Sequence, residues 1–152
     1  MTTSFMGELM TATHNFGVAP IRATTTVDTF KAALYLTSAT INAATTAYTV
    51  TGEVSGTNYV AGGVTVTTAT PPTATNSSAT AGVAFFTPSA SITYTTVTLS
   101  TAFDAVLIYN STQSDKAVSV HTFGSQTITA GTFTLTMPTN NTSTALLRLA
   151  TT

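Results

Sequence analysis

In the stretch Thr132-Phe133-Thr134-Leu135-Thr136-Met137, a hydroxyl and a large apolar side chain change places at every step without a break. Successive side chains of a strand point to opposite faces. A period of two can therefore bury Phe133, Leu135 and Met137 while Thr132, Thr134 and Thr136 stay wet, whereas a helical period would spread both classes around the whole cylinder. The same grammar governs the chain from residue 24 onward. It predicts strands over residues 27–36, 63–68, 82–86, 91–99, 103–109, 117–123, 131–137 and 146–149, with a weaker one over 45–50, about nine in all. In Ala105-Val106-Leu107-Ile108-Tyr109 every position is apolar, which marks a central strand covered on both faces. Residues 110–116 then form a hairpin loop into the next strand. Many short strands with little helix predict an all-β fold: a single-domain β-sandwich or jelly roll over residues 1–152, with its β core in 24–152.

Residues 1–23 are expected to be an N-terminal arm or short helix. Phe5, Met6, Leu9 and Met10 fall on one face of a helix starting near Ser4, a plausible N-cap, and stopping before Gly17. So short a helix is marginal unless it docks on something. Four glycines within residues 52–63 signal bends or close backbone approach, and the proline- and serine-rich residues 69–80 predict an irregular loop.

Charge bounds the function. The chain of 152 residues holds 4 Lys+Arg and 5 Asp+Glu against 40 threonines, with a formal net charge of −1. No cationic field exists to draw nucleic acid or anionic lipid, and no run of ~20 apolar residues is present to span a bilayer. Absence of cysteine removes thiol catalysis and thiolate metal sites. The opening residues lack a basic region followed by an apolar one, so the chain is expected to stay inside the cell that makes it. Threonine supplies a hydroxyl surface on a β-branched stem, suited to packing against copies or partners.

The inventory for chemistry is small. Its acids are Glu8, Asp28, Glu53, Asp104 and Asp115, and its histidines are His14 and His121. No HxH or HExxH spacing, nucleophile elbow, dinucleotide fingerprint or Walker motif occurs, so no enzyme activity, metal or cofactor is expected. Glu53, among glycines, is expected to accept backbone N–H groups in a turn, and Asp104 to sit at a turn or strand edge. His121 is expected half-buried on its strand, and His14 in the connection after the helix. A threonine ladder of the ice-binding kind would need a fixed repeat, which is absent.

Several segments together resemble a family of small structural proteins of tailed bacteriophages. They are Ser4-Phe5, Glu8-Leu9 and His14-Asn15-Phe16; Asp28-Thr29-Phe30-Lys31 with Ala33-Leu34-Tyr35; residues 52–63; Leu107-Ile108-Tyr109-Asn110-Ser111; and Ala130-Gly131-Thr132-Phe133-Thr134. The resemblance covers nearly the whole chain. It departs at Gly52, Asn58 and Val60, where the family pattern has Asn, Gly and Thr, and in the 69–80 loop. It implies a virion component on the capsid exterior, made in the host cytoplasm: a decoration (cement) protein, trimeric, that binds the major capsid protein and stabilises the assembled head. Phe5, Met6, Leu9, Met10 and Phe16 would then form the docking arm, or else cap the protein's own core. The alternative it leaves is a tail- or fibre-associated protein that binds a host surface glycan, stacking sugar rings on exposed Tyr35, Tyr59 or Tyr109.

Overall fold

The computed structural model describes residues 1–10, 13, 14, 16, 27–69, 72–75 and 82–150. Its elements are α1 (Thr3–Met10), β1 (Phe30–Leu36), β2 (Val64–Val66), β3 (Thr73–Ala74), β4 (Val83–Phe86), β5 (Ile92–Asn110), β6 (Lys116–Leu135) and β7 (Leu147–Ala150). The strands form two antiparallel sheets, of order β2-β1-β5-β6 and β3-β4-β7, as the all-β expectation requires. No described helix is long and apolar enough to cross a membrane.

Among the described residues seven strands stand where about nine were expected over the chain. Predicted strands 91–99 and 103–109 are one strand, β5, and 117–123 and 131–137 are one strand, β6. The intervening polar residues are corners, not loops. Phe123 and Phe133 are ten residues apart, roughly 33 Å along a straight strand, yet their ring centroids lie 5.3 Å apart. The long β5–β6 ribbon therefore turns back on itself. Phe103 fills the elbow, edge-on to Phe133 at 5.1 Å and to Phe123 at 6.0 Å. Successive register shifts between Tyr94 and Ala105 admit the bend, and Thr96 and Ala130 take positive φ there (55° and 48°), as bulged residues do.

Residues 45–50 are not a strand. Only Ala47 makes a bridge, to Lys116, and Asn42 turns the chain by accepting the Ala44 N–H while Thr45 Oγ1 accepts the Asn42 N–H. Such local side-chain bonds compete with a ladder, and the small residues there offer little to bury. Within the predicted 69–80 loop, Thr73–Ala74 pairs with β4 as an edge strand.

The core lies on both faces of the larger sheet. One face carries Phe30, Ala32, Leu34, Val106, Ile108 and Val118, packed with Phe86 and Leu147 of the smaller sheet and with Phe5 and Phe16 of the N-terminal segment. The other carries Ala33, Tyr35, Ala105, Leu107, Tyr109 and Ala117, covered by Ala39, Ile41 and Tyr48. That double cover is why residues 105–109 are apolar throughout, and β5 is an interior strand as predicted. Phe133, Leu135 and Met137 pack half-buried against the core while Thr132, Thr134 and Thr136 are exposed.

Helix α1 starts at Thr3, a residue before the predicted Ser4 cap, and ends at Met10, well short of Phe16. Gly17 lies outside the described residues. Buried Thr2 donates its backbone N–H to Val118 O and its hydroxyl to Ala117 O, so strand β6 rather than a cap fixes where the helix begins.

Candidate functional site

Two polar clusters are buried in this frame. The first gathers around Glu53, which is 8% exposed. Its Oε1 accepts from the Tyr59 hydroxyl (2.7 Å) and the Gly62 N–H (2.8 Å), and its Oε2 accepts from the Tyr48 hydroxyl (2.6 Å). The expectation of a carboxylate taking a turn's N–H is met, with two phenols besides. Tyr109 donates to Gly62 O, Tyr35 donates to Thr49 O and Tyr59 Oη accepts the Leu34 N–H, so these three tyrosines tie residues 49–62 to the large sheet, while Tyr94 donates to Ala32 O within the sheet. Gly63 closes this loop at φ 72°, where an added Cβ would sit 1.6 Å from Ala32 O. Burial, the main cause, pushes the Tyr35 and Tyr109 phenols up to about 12. Tyr48 and Tyr59 are raised further, by burial and then by the bond to Glu53.

This corrects the expectation that Tyr35, Tyr59 and Tyr109 are exposed. Tyr35 and Tyr109 are fully buried and Tyr59 half-buried, with every hydroxyl engaged inside the protein.

The second cluster joins α1 to the β5–β6 hairpin. Lys116 Nζ donates to Glu8 Oε1 at 2.7 Å, and Glu8 Oε2 faces His14 Nε2 at 2.8 Å. His14 Nδ1 meets Asn110 Nδ2 at 3.0 Å, and the same amide donates to Asp28 Oδ2 at 2.8 Å. Gln113 Nε2 donates to the other Asp28 oxygen. Asn110 is wholly buried and His14 is 8% exposed, its ring among those of Phe5, Phe16 and Phe30. Burial lowers the His14 pKa against the opposing pull of Glu8. At Glu8 burial raises the pKa, but the bonds from Lys116 and His14 outweigh it and leave the carboxyl below its ordinary value.

His121 is half-buried against Ser119 Oγ as expected, while Asp104 lies within β5 instead of at a turn, because the strand runs on through the corner. Among the described residues no three of His, Asp and Glu stand close enough to hold a metal ion.

The predicted docking residues divide. Phe5 (2% exposed) and Phe16 sit in the core, Phe16 stacked on Phe30 at 4.4 Å, and Leu9 is half-buried against it. Met6 is 46% exposed, and the side chain of Met10 lies outside the described residues.

Charge is placed as sparingly as it is used. Of the eight charged residues described, Asp28 and Glu53 are buried; Glu8, Lys31, Asp104, Asp115 and Lys116 are half-buried; Arg148 alone is exposed. Between Lys116 and Arg148 no charged residue occurs, and there the ribbon shows water Thr122, Ser125, Gln126, Thr127, Thr129, Thr132 and Thr134. Comparison with models of known protein families, with curated proteins and with solved structures finds no match for this chain.

Proposed function

We propose that this chain is a bacteriophage capsid decoration protein, which binds the assembled head and stabilises it by occupying many equivalent sites. The observation that carries the reading is the surface: a rigid β framework whose exposed face is threonine, serine and glutamine, with Arg148 the one exposed charge described. Surfaces of like charge repel when crowded. A hydroxyl surface avoids that repulsion, and its donors and acceptors can be met equally by water, by another copy or by a capsid subunit. The resemblance to small phage structural proteins points to the same role.

The mechanism would be mass action. A partner that binds only the assembled shell stabilises it by RT ln(1 + [L]/Kd) at each site, and contacts repeated over the shell add through avidity. No bond need be made or broken. Virions with and without the protein should then differ in the temperature at which the head opens and releases its genome, the decorated particle opening later. Identical melting would sink the proposal. A gel of purified virions provides the second measure: copies comparable in number to the major capsid protein fit decoration, and a handful per particle would assign the chain to the tail.

A further inference from the structure

We propose that His14 is an acid-sensitive latch: uptake of a proton at Nδ1 shifts α1 toward release from the β5–β6 hairpin while the sheets stay folded. The inference goes beyond the decoration reading and does not depend on it. It rests on counting donors and acceptors around Asn110. The Asn110 Oδ1 accepts the backbone N–H groups of Thr112 (3.1 Å) and Gln113 (3.2 Å), which fixes the amide's orientation. Its Nδ2, which has two hydrogens and nothing to accept with, therefore faces both Asp28 Oδ2 and His14 Nδ1. His14 Nδ1 must be the bare ring nitrogen, so the hydrogen is on Nε2 and is donated to Glu8. The neutral ring in this one tautomer satisfies both Asn110 and Glu8.

A proton added at Nδ1 sets two donors against each other across 3.0 Å. Asn110 cannot turn to offer its oxygen without abandoning two backbone N–H groups and Asp28. The ring is the member free to leave, because it lies on the segment that follows α1, outside both sheets. Among the described residues three charged groups face it. Glu8 of α1 favours the protonated ring but already shares its carboxylate with Lys116 of β6, which opposes it, and Asp28, ahead of β1, favours it from behind Asn110. Burial among three phenylalanine rings opposes the charge and prevails, in keeping with the lowered pKa. Folded and unlatched forms thus differ in proton affinity, and release gains up to about tenfold per pH unit below the ordinary histidine midpoint near 6.5.

Hydrogen exchange of the α1 amides at pH 7.5 and 5.5, corrected for the intrinsic pH dependence of exchange, tests the latch on the intact protein. Protection in α1 should fall up to about tenfold over that last unit while protection in β1 and β5 holds. In His14→Gln the amide oxygen can accept from Asn110 and the amide nitrogen can donate to Glu8, with no proton to gain, so α1 protection should become independent of pH. Equal protection of wild-type α1 at both pH values, the same loss in the variant, or loss from the sheets in step with α1 would each overturn the proposal. Should the variant not fold, nitrogen chemical shifts of the wild-type ring decide: Nδ1 must be unprotonated at pH 7.5 and become protonated as α1 protection falls, and a ring that titrates with α1 unmoved refutes it.

Discussion

The Glu53 cluster and the His14 cluster are both buried and polar, and they differ in the sequence distance they span. Glu53 draws its donors from Tyr48, Tyr59 and Gly62, five, six and nine positions away. The other cluster joins Glu8 to Lys116 across 108 positions, His14 to Asn110 across 96 and Asn110 to Asp28 across 82. The first is a knot tied within one loop, whose phenol donors remain protonated well above neutral pH. The second pins α1 and the residues after it to the β5–β6 hairpin through an imidazole, the side chain that titrates nearest neutrality. A local knot holds a loop in shape, whereas a long-range tie decides whether a segment belongs to the body at all.

The largest effect expected is at the knot. Glu53→Ala leaves two phenol hydroxyls and the Gly62 N–H without their acceptor, at about 3 kcal/mol of stability in urea unfolding. Because burial raises the tyrosine pKa values, their contribution is complete below pH ~10 and lost only above it, so this cost should be equal at pH 6 and pH 8. A cost that changes between those values would mean that the knot contains a group titrating near neutrality.

Next comes Asn110→Ala, expected to cost about 2 kcal/mol at pH 7.5 through lost donors at His14 and Asp28 and lost acceptors at two turn amides. Here the cost should shrink at pH 5.5, since a protonated His14 has already lost its bond to Asn110. The sign follows from linkage: a histidine of lowered folded pKa is protonated first in the unfolded chain, so its stabilisation is present above pH ~6.5 and fades below it. Glu8, also lowered, adds a separate loss as pH falls below its ordinary 4.5. Measuring the pair Glu53→Ala and Asn110→Ala at both pH values sets the two clusters directly against each other.

Lys116→Met is a smaller change. The Lys116 side chain is 40% exposed, so its pair with Glu8 is worth about 0.5 kcal/mol or less, and thermal unfolding in low and high salt should show that modest difference vanish as salt rises. Smallest for stability is Thr132→Lys on the hydroxyl face, within about 0.5 kcal/mol of wild type. Its effect should appear instead as weakened binding to assembled heads in a co-sedimentation assay, and undiminished binding would exclude this face from the contact.

The alternation in residues 132–137 and the unbroken apolar run 105–109 were legible because each reports its own neighbourhood, one face wet or both faces dry. The corner was not. Polar residues near 100–102 and 124–130 interrupt the pattern in the same way whether the chain turns a loop or bends a continuous strand, and only the meeting of Phe103, Phe123 and Phe133 separates the two cases. For the same reason Tyr35 and Tyr109, which could be exposed or buried on period alone, turned out to be inside once residues 37–63 lay over that face.

Sequence by itself determined that the chain is β, that threonine faces outward and that the chain carries only five acids and two histidines. These follow from local periodicity and from counting. Tertiary structure decided that the N-terminal phenylalanines enter the core, that the scarce charges are mostly drawn inward, and that His14 stands between Glu8 and Asn110. Each of those depends on contacts between residues tens of positions apart, and a period of two says which face a side chain is on but not what will come to lie against it.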